Sequence, residues 1–266
     1  MKLSIITINY NNMDGLQKTI DSVVCQTWRD FEWIIIDGGS TDGSKELIEQ
    51  YQRYFAYWCS EPDKGVYNAM NKGVGHARGE YLLFLNSGDC FHNSEVLKTV
   101  HNDWRDVDVI YGDLNYVSHK GDYIISYPDS LTTHYFLCHS IGHPASFIKA
   151  QLLKGNGYRE DFKIVSDWYK FLELFRCGCT FHHINVIVSD YDTTGISSVN
   201  MDLISKENEV VFKEVFGDVN RKWIEESHQM QTIYEKVAGC GFLRIMKNGG
   251  KRMRFLTFII HLLNRI

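Results

Sequence analysis

The chain has 266 residues, 44% of them hydrophobic, 23% charged and 14% aromatic, with three prolines and a formal net charge of -5. That is enough to bury the core of one large domain, or of one domain with a helical extension, and it excludes a disordered or Pro-rich arm. The acidic balance excludes a general nucleic-acid binder, whose surface is basic. Seven scattered cysteines, Cys177-Gly-Cys179 included, lack the spacing of a disulfide framework or zinc knuckle and read as reduced thiols. The opening Met1-Lys2-Leu3-Ser4 runs into a strand without a signal peptide, and no run reaches the ~18 apolar residues of a spanning helix. A cytoplasmic protein is expected.

Leu3 to Ile8 is apolar and β-branched, a first buried strand, broken by Asn9-Tyr10-Asn11-Asn12. Leu16, Ile20, Val23 and Val24 then recur at helical spacing. Phe31 to Ile36 is a second strand ending at Asp37, and Gly38 to Gly43 leads into a helix carrying Leu47, Ile48 and Tyr51. Phe55 to Cys59 reads as a third strand, and Val66 to Ala77 as a helix stopped by Gly79. Tyr81 to Leu85 is a fully apolar strand that ends in Asn86-Ser87-Gly88-Asp89. This alternation predicts an α/β fold with a Rossmann-like, mostly parallel sheet and helices on both faces.

Beyond Asp89 the pattern changes. Ser94 caps a helix to about Asp103, Val107 to Tyr111 is a strand, and Leu114 to Tyr127 holds a hairpin around His119-Lys120-Gly121-Asp122. Ile141 to Phe147 is a loop entering a strand, Val165 to Cys177 an amphipathic helix, and Phe181 to Val188 a strand. After Gly195 the chain reads as helical, over about Asp202 to Phe216 and Val219 to Val237. The expected division is a domain over 1–198, with halves 1–112 and 113–198, and a C-terminal helical extension over 199–266.

In open α/β sheets, ligands sit beyond the carboxyl ends of the strands. Asp37 either accepts a hydrogen bond from a ring N–H such as uracil N3 or caps the following helix. Tyr10 beside it could stack on a base, with Thr7 or Asn9 hydrogen-bonding it. Asp42 is a first-turn acid or a ligand contact. Asp63 and Lys64 lie on a loop that either covers a ligand or is only solvated. Asp89 suits a hard cation, Mg²⁺ or Mn²⁺, shared with substrate phosphates. Asp167 is a general base or an ordinary first-turn acid. His143 is a phosphate or acceptor contact, or a structural histidine. G-x-G-x-x-G, Walker A, H-E-x-x-H and nucleophile-elbow motifs are absent.

Taken together, Ser4 to Asn11, Ile36 to Gly43, Asn68 to Gly73 and Gly79 to Asp89 resemble the family-2 glycosyltransferases of the GT-A fold, over roughly residues 1 to 195. The resemblance implies inverting transfer of one hexosyl or N-acetylhexosaminyl group from a nucleotide-diphosphate sugar, UDP-linked, in cell-surface polysaccharide or glycolipid synthesis. It implies that Thr7, Asn9, Tyr10 and Asp37 hold base and ribose, joined at the donor by Asp63, Lys64, Asn71, Ser87 and His143. Asp89 matches the last acid of the DXD metal motif and Asp167 the catalytic base. Ser87 replaces the first acid of that motif, which leaves one carboxylate for Mn²⁺ or Mg²⁺. A sugar-nucleotidyltransferase and a non-catalytic nucleotide-sugar binder are the alternatives. The tail from Phe242 mixes Arg and Lys with apolar residues and contains no acid. It suits peripheral contact with the inner face of an anionic membrane, where lipid-linked acceptors lie, or packing on the domain or on a second subunit in a homodimer.

Overall fold

The computed structural model describes residues 2–118, 121–193 and 200–217. The chain divides into two compact units, Met1–Glu214 and Val215–Ile266. The helix expected over Val219 to Val237 and the basic tail lie outside the described residues, as do His119 and Lys120 of the hairpin.

Residues of the first unit alternate as the hydrophobic pattern requires. The elements are β1 (Leu3–Asn9), α1 (Met13–Val24), β2 (Phe31–Asp37), α2 (Ser44–Tyr51), β3 (Tyr57–Ser60), α3 (Val66–His76) and β4 (Tyr81–Phe84). Every residue of β1 and β4 is buried; β4 is wholly apolar, and β1 is apolar apart from Ser4, Thr7 and Asn9. Next come β5 (Cys90–Phe91), α4 (Val96–Asn102), β6 (Val109–Val117), β7 (Tyr123–Ile125), α5 (Thr133–Cys138), β8 (Ser146–Lys149), α6 (Ala150–Lys154), α7 (Ser166–Arg176), β9 (Phe181–Asp192) and α8 (Met201–Phe216).

The sheet runs β3-β2-β1-β4-β8-β6-β9-β5, with β7 paired to β6. The first four strands are parallel, as their crossover helices demand. The expected Rossmann-like, mostly parallel sheet is not what forms. β8 inserts antiparallel between β4 and β6, β7 lies antiparallel on β6, and β5 lies antiparallel on β9. Only β6 and β9 restore a parallel pair, and its register shifts around Asp113. Such irregularities bend a strand and increase its twist. The result is one mixed sheet curled into a half-barrel. Beyond Asp89 the strands no longer alternate with long crossover helices, so their direction is set by tertiary pairing that local pattern does not encode.

Smaller differences follow the same logic. The strand expected from Phe55 starts at Tyr57, after a 3-10 turn over Gln52–Tyr54. The strand expected over Val107 to Tyr111 is one continuous strand with the first arm of the hairpin. Gly79 does not stop α3, which has already ended at His76. It provides clearance: a Cβ there would lie 2.5 Å from the Ser4 nitrogen and 2.6 Å from the Leu3 carbonyl carbon. Its N–H donates to Ser4 Oγ at 2.8 Å, and Ser4 Oγ donates to Glu32 at 2.6 Å. Among the described residues Cys25, Cys59, Cys90, Cys177 and Cys179 are free thiols. No helix among them is long and apolar enough to cross a membrane.

Because the neighbours of Gly79 are backbone and cannot swing away, Gly79→Ala is expected to cost about 1–3 kcal/mol of stability. Denaturant unfolding checks this as a lower midpoint at unchanged slope; an unmoved midpoint would mean that β1 yields.

Candidate active site

A cavity of about 580 Å³ opens beyond the carboxyl ends of β1 and β4, a size within the range of small-molecule sites, about 300–1,000 Å³. It is lined from β1 and its following turn by Asn9 and Tyr10, from the loop before α3 by Asp63, and from the turn after β4 by Ser87 and Asp89. His143, Lys163, Asp167, Tyr191 and Asp192 close it from the second half of the chain.

The end nearest β1 is organised by Asp37. Its carboxylate is fully buried and accepts from Asn9 Nδ2 (2.7 Å), Ser40 Oγ (2.6 Å), Ser40 N (2.9 Å), Gly39 N (3.2 Å) and Ser60 Oγ (2.6 Å). Burial pushes its pKa up, but the hydrogen bonds from Ser40, Ser60 and Asn9 outweigh it and hold the carboxyl below its usual range. Asp37 is not among the cavity-lining residues. Both of its oxygens accept hydrogen bonds. Asn9 lines the cavity, and its Oδ1 is buried without a hydrogen-bond partner. Thr7 is also outside the lining: its buried hydroxyl accepts from Trp33 Nε1 at 3.0 Å. Tyr10 is 67% exposed at the rim.

Asp63 faces the cavity and accepts from Gly65 N at 2.7 Å, whereas Lys64 is exposed and is not a lining residue. Asn71 is a clamp on the backbone of Tyr158, donating to its carbonyl and accepting from its N–H, both at 2.8 Å. Asp42 joins two helix starts, accepting from Met13 N at 2.8 Å and Ser44 Oγ at 2.6 Å.

The turn carrying Asp89 is pinned on two sides. Leu85 N and Ser87 N donate to the Ile6 and Ile8 carbonyls, each at 3.0 Å, so the turn stays hydrogen-bonded to β1. Thr19 of α1 donates to the Asp89 carbonyl (2.8 Å) and accepts from Gly88 N (3.0 Å). Gly88 has φ +105°, a left-handed conformation that favours glycine. Ser87 lies under Asn12, whose side chain donates to the Ser87 carbonyl at 3.1 Å.

Asp192, at the end of β9, reaches the same place. Its N–H donates to Asp89 Oδ1 at 3.1 Å, and both side chains line the cavity. Burial pushes the Asp89 carboxyl up to about 7; the Asp192 N–H pulls it back and the Asp192 charge pushes it further up. Among the described residues no group of three or more His, Cys, Asp or Glu side chains forms a metal site by itself. Two adjacent acids, one buried with a displaced pKa, still fit a hard cation that completes its shell with substrate oxygens.

Asp167 stands in the first turn of α7, with a carboxylate oxygen 2.9 Å from the Tyr67 hydroxyl. That hydroxyl also lies 2.5 Å from the Ile164 carbonyl, so α3 fixes the approach to α7. Glu207 of α8 accepts from the backbone N–H groups of Lys163 (2.6 Å), Ile164 (3.0 Å) and Val165 (3.2 Å). The C-terminal helix thereby holds the segment that delivers both Lys163 and Asp167. Among the described residues that line the cavity, Lys163 is the one lysine or arginine. His143 is buried, stacked on Phe84 with centroids 4.8 Å apart, and its Nε2 is 2.8 Å from the Tyr158 hydroxyl. Burial pushes its pKa down, against the opposing pull of Asp167. The sequence reading missed Lys163, Tyr67, Asp192 and Glu207. Asp192 could have been found by extending the last strand through the Tyr191-Asp192 alternation.

The folded Asp89 carboxyl keeps its proton to about 7, while an unfolded one loses it near 3.8. Asp89 therefore costs stability progressively as pH rises from about 4 to about 7. In chelator-treated protein, Asp89→Asn is expected to melt above the wild type at pH ~8, the gap narrowing as pH falls toward ~4. A gap independent of pH would contradict the burial of this charge.

The sequence matches glycosyl transferase family 2 over residues 4–148. An uncharacterised glycosyltransferase of Mycobacterium tuberculosis (strain H37Rv) is 34% identical over 235 residues, covering 83% of this chain and 85% of the relative. A PGL/p-HBAD biosynthesis glycosyltransferase of Mycobacterium bovis (strain BCG / Pasteur 1173P2) is 28% identical over 77% of this chain and 81% of its own length. The crystal structure of S. aureus TarS 1-349 in complex with UDP-GlcNAc shares the fold, with TM-score 0.63 and 19% identity over 86% of this chain and 70% of that one. A family match over more than half of the sequence, and a relative aligned along most of both chains, make this chain a glycosyltransferase of family 2.

Proposed function

We propose that the chain moves one sugar, with inversion, from a UDP-linked donor to a hydroxyl of a glycan or lipid-linked acceptor in cell-envelope synthesis. The carrying observation is that Asp89 and Asp167, from opposite halves of the sequence, line one cavity. Membership of the family removes the sugar-nucleotidyltransferase alternative. The UDP-GlcNAc bound by TarS supports a UDP-sugar donor. The biosynthetic role in the name of the Mycobacterium bovis relative supports an acceptor within glycoconjugate assembly.

In this reading Asn9 Oδ1, buried and unpartnered, accepts the ring N–H of the base while Tyr10 covers it. Asp37 contributes by fixing Asn9 through their 2.7 Å hydrogen bond. Asp63 meets the ribose or sugar hydroxyls. Asp89 and Asp192 are the residues that would hold Mn²⁺ or Mg²⁺, which supplies positive charge against the diphosphate leaving group. Lys163 adds a second positive charge at the cavity wall. Asp167 removes the acceptor hydroxyl proton as that oxygen attacks the anomeric carbon. One base suffices for a single in-line displacement, and no protein–sugar bond forms. Tyr67 orients Asp167 through their hydrogen bond. Residues 1–112 supply most of the donor side and residues 113–198 the base and acceptor side. The basic, acid-free sequence of 242–266 supports peripheral contact with the inner face of the membrane.

Asp167→Asn is expected to lower transfer by about 10²–10⁴-fold, with UDP affinity unchanged. Product release from a UDP-sugar panel, beside calorimetric UDP binding, measures this. Full turnover in the variant would remove the base. NMR of the product must also report an inverted anomeric centre, and retention would contradict the single displacement.

A further inference from the structure

Tyr191 of β9 lines the cavity, and its in-register neighbour on β6 is Tyr116. Tyr116 is in turn in register with Tyr123 of β7. The three rings form one cross-strand row, with centroids 5.0 Å apart for Tyr191 and Tyr116 (52° between planes) and 5.2 Å for Tyr116 and Tyr123 (25°). Along the row burial falls away. Tyr116 and Tyr191 are half-buried, and Tyr123, on a strand paired to β6 alone, is 53% exposed. An aromatic track thus leads from the wall of the catalytic cavity to the surface.

The row serves the sheet, because cross-strand aromatic pairs stabilise neighbouring strands. That role accounts for Tyr116, packed between two partners. It does not account for leaving a large ring half in water at the outer end of a row whose inner end is a cavity wall. The row also lies away from the nucleotide end. In the sheet β4 and β8 separate β1, which carries Asn9, from β6. Its inner ring, Tyr191, lines the same cavity as Asp167, so what stacks along the row enters that cavity from solvent, as an acceptor must.

We infer that the Tyr191–Tyr116–Tyr123 row is an acceptor subsite that binds pyranose rings of an oligosaccharide. The chemistry fits a sugar better than an alkyl chain. A pyranose presents apolar C–H faces to an aromatic ring and hydroxyls at its rim, and tyrosine offers both an apolar face and a polar tip. The inference rests on the sugar-transfer reading and deepens it, assigning the extended part of the acceptor beyond the reacting hydroxyl.

The test uses the full chain, fluorescently labelled and saturated with UDP and Mn²⁺ throughout, on an array of defined oligosaccharides graded by length. Wild type, Tyr123→Phe and Tyr123→Leu are compared, with calorimetric UDP binding and thermal melting measured for each. The wild type should bind at least one series more tightly as it lengthens. Tyr123→Leu, which keeps an apolar strand residue but loses the ring, should weaken that binding about 10-fold. Tyr123→Phe should stay within about 2-fold, and UDP affinity should be equal in all three. Equal glycan binding by Tyr123→Leu, or no glycan binding by a wild type that binds UDP, would overturn the subsite and leave the donor reading intact. Failure of the wild type to bind UDP would overturn both.

Discussion

A buried carboxylate facing a second carboxylate is the constraint around which this site is built. Asp89 is nearly inaccessible, accepts from the Asp192 backbone at 3.1 Å and from the Asn86 backbone, and feels the Asp192 charge as well. Such an arrangement is costly in the free protein. It would become favourable with positive charge beside it, and in the proposed function a cation shared with a diphosphate supplies that charge. Much of the fold holds this one turn still: β1 carries it through backbone hydrogen bonds, and Thr19 of α1 locks it from the side.

The opposite wall follows a different principle. Asp167 begins a helix whose approach is tied to α3 through Tyr67 and to α8 through Glu207. Three backbone N–H groups on one carboxylate is a strong, directional clamp. It recruits the C-terminal helix into the architecture of the site although α8 contributes no lining residue. The cavity is therefore assembled between a wall anchored on β1 and β4 and a wall anchored on helices.

Legibility in the sequence followed locality. β1, β2 and β4 were readable because they are covered by their neighbours, so each is rich in apolar and β-branched or aromatic residues. The positions of Asp89, in the turn after β4, and of Asp167, in the first turn of the amphipathic α7, were legible from local pattern. The antiparallel insertion of β8 was not readable, since its partners β4 and β6 are chosen by tertiary packing. Glu207 was invisible because it acts on residues about 40 positions earlier, with |i−j| of 42 to 44. Thr7, Asp37 and Asn71 lie near the site, but their polar atoms are engaged by Trp33, by the Ser40 and Ser60 donors, and by the Tyr158 backbone. A residue type at a strand end identifies who is near a ligand, and only the hydrogen-bond inventory identifies who is free to touch it.

The central claim is that Asp89 and Asp192 form a cation-supported seat for a nucleotide diphosphate. Calorimetric titration of UDP into chelator-treated protein, with and without Mn²⁺, tests it most directly when run on wild type, Asp89→Asn and Asp192→Asn. The account predicts tight UDP binding by the wild type only with Mn²⁺, and loss of that Mn²⁺-dependent gain in both variants. UDP binding indifferent to Mn²⁺ in the wild type, or a gain undiminished in both variants, would contradict it.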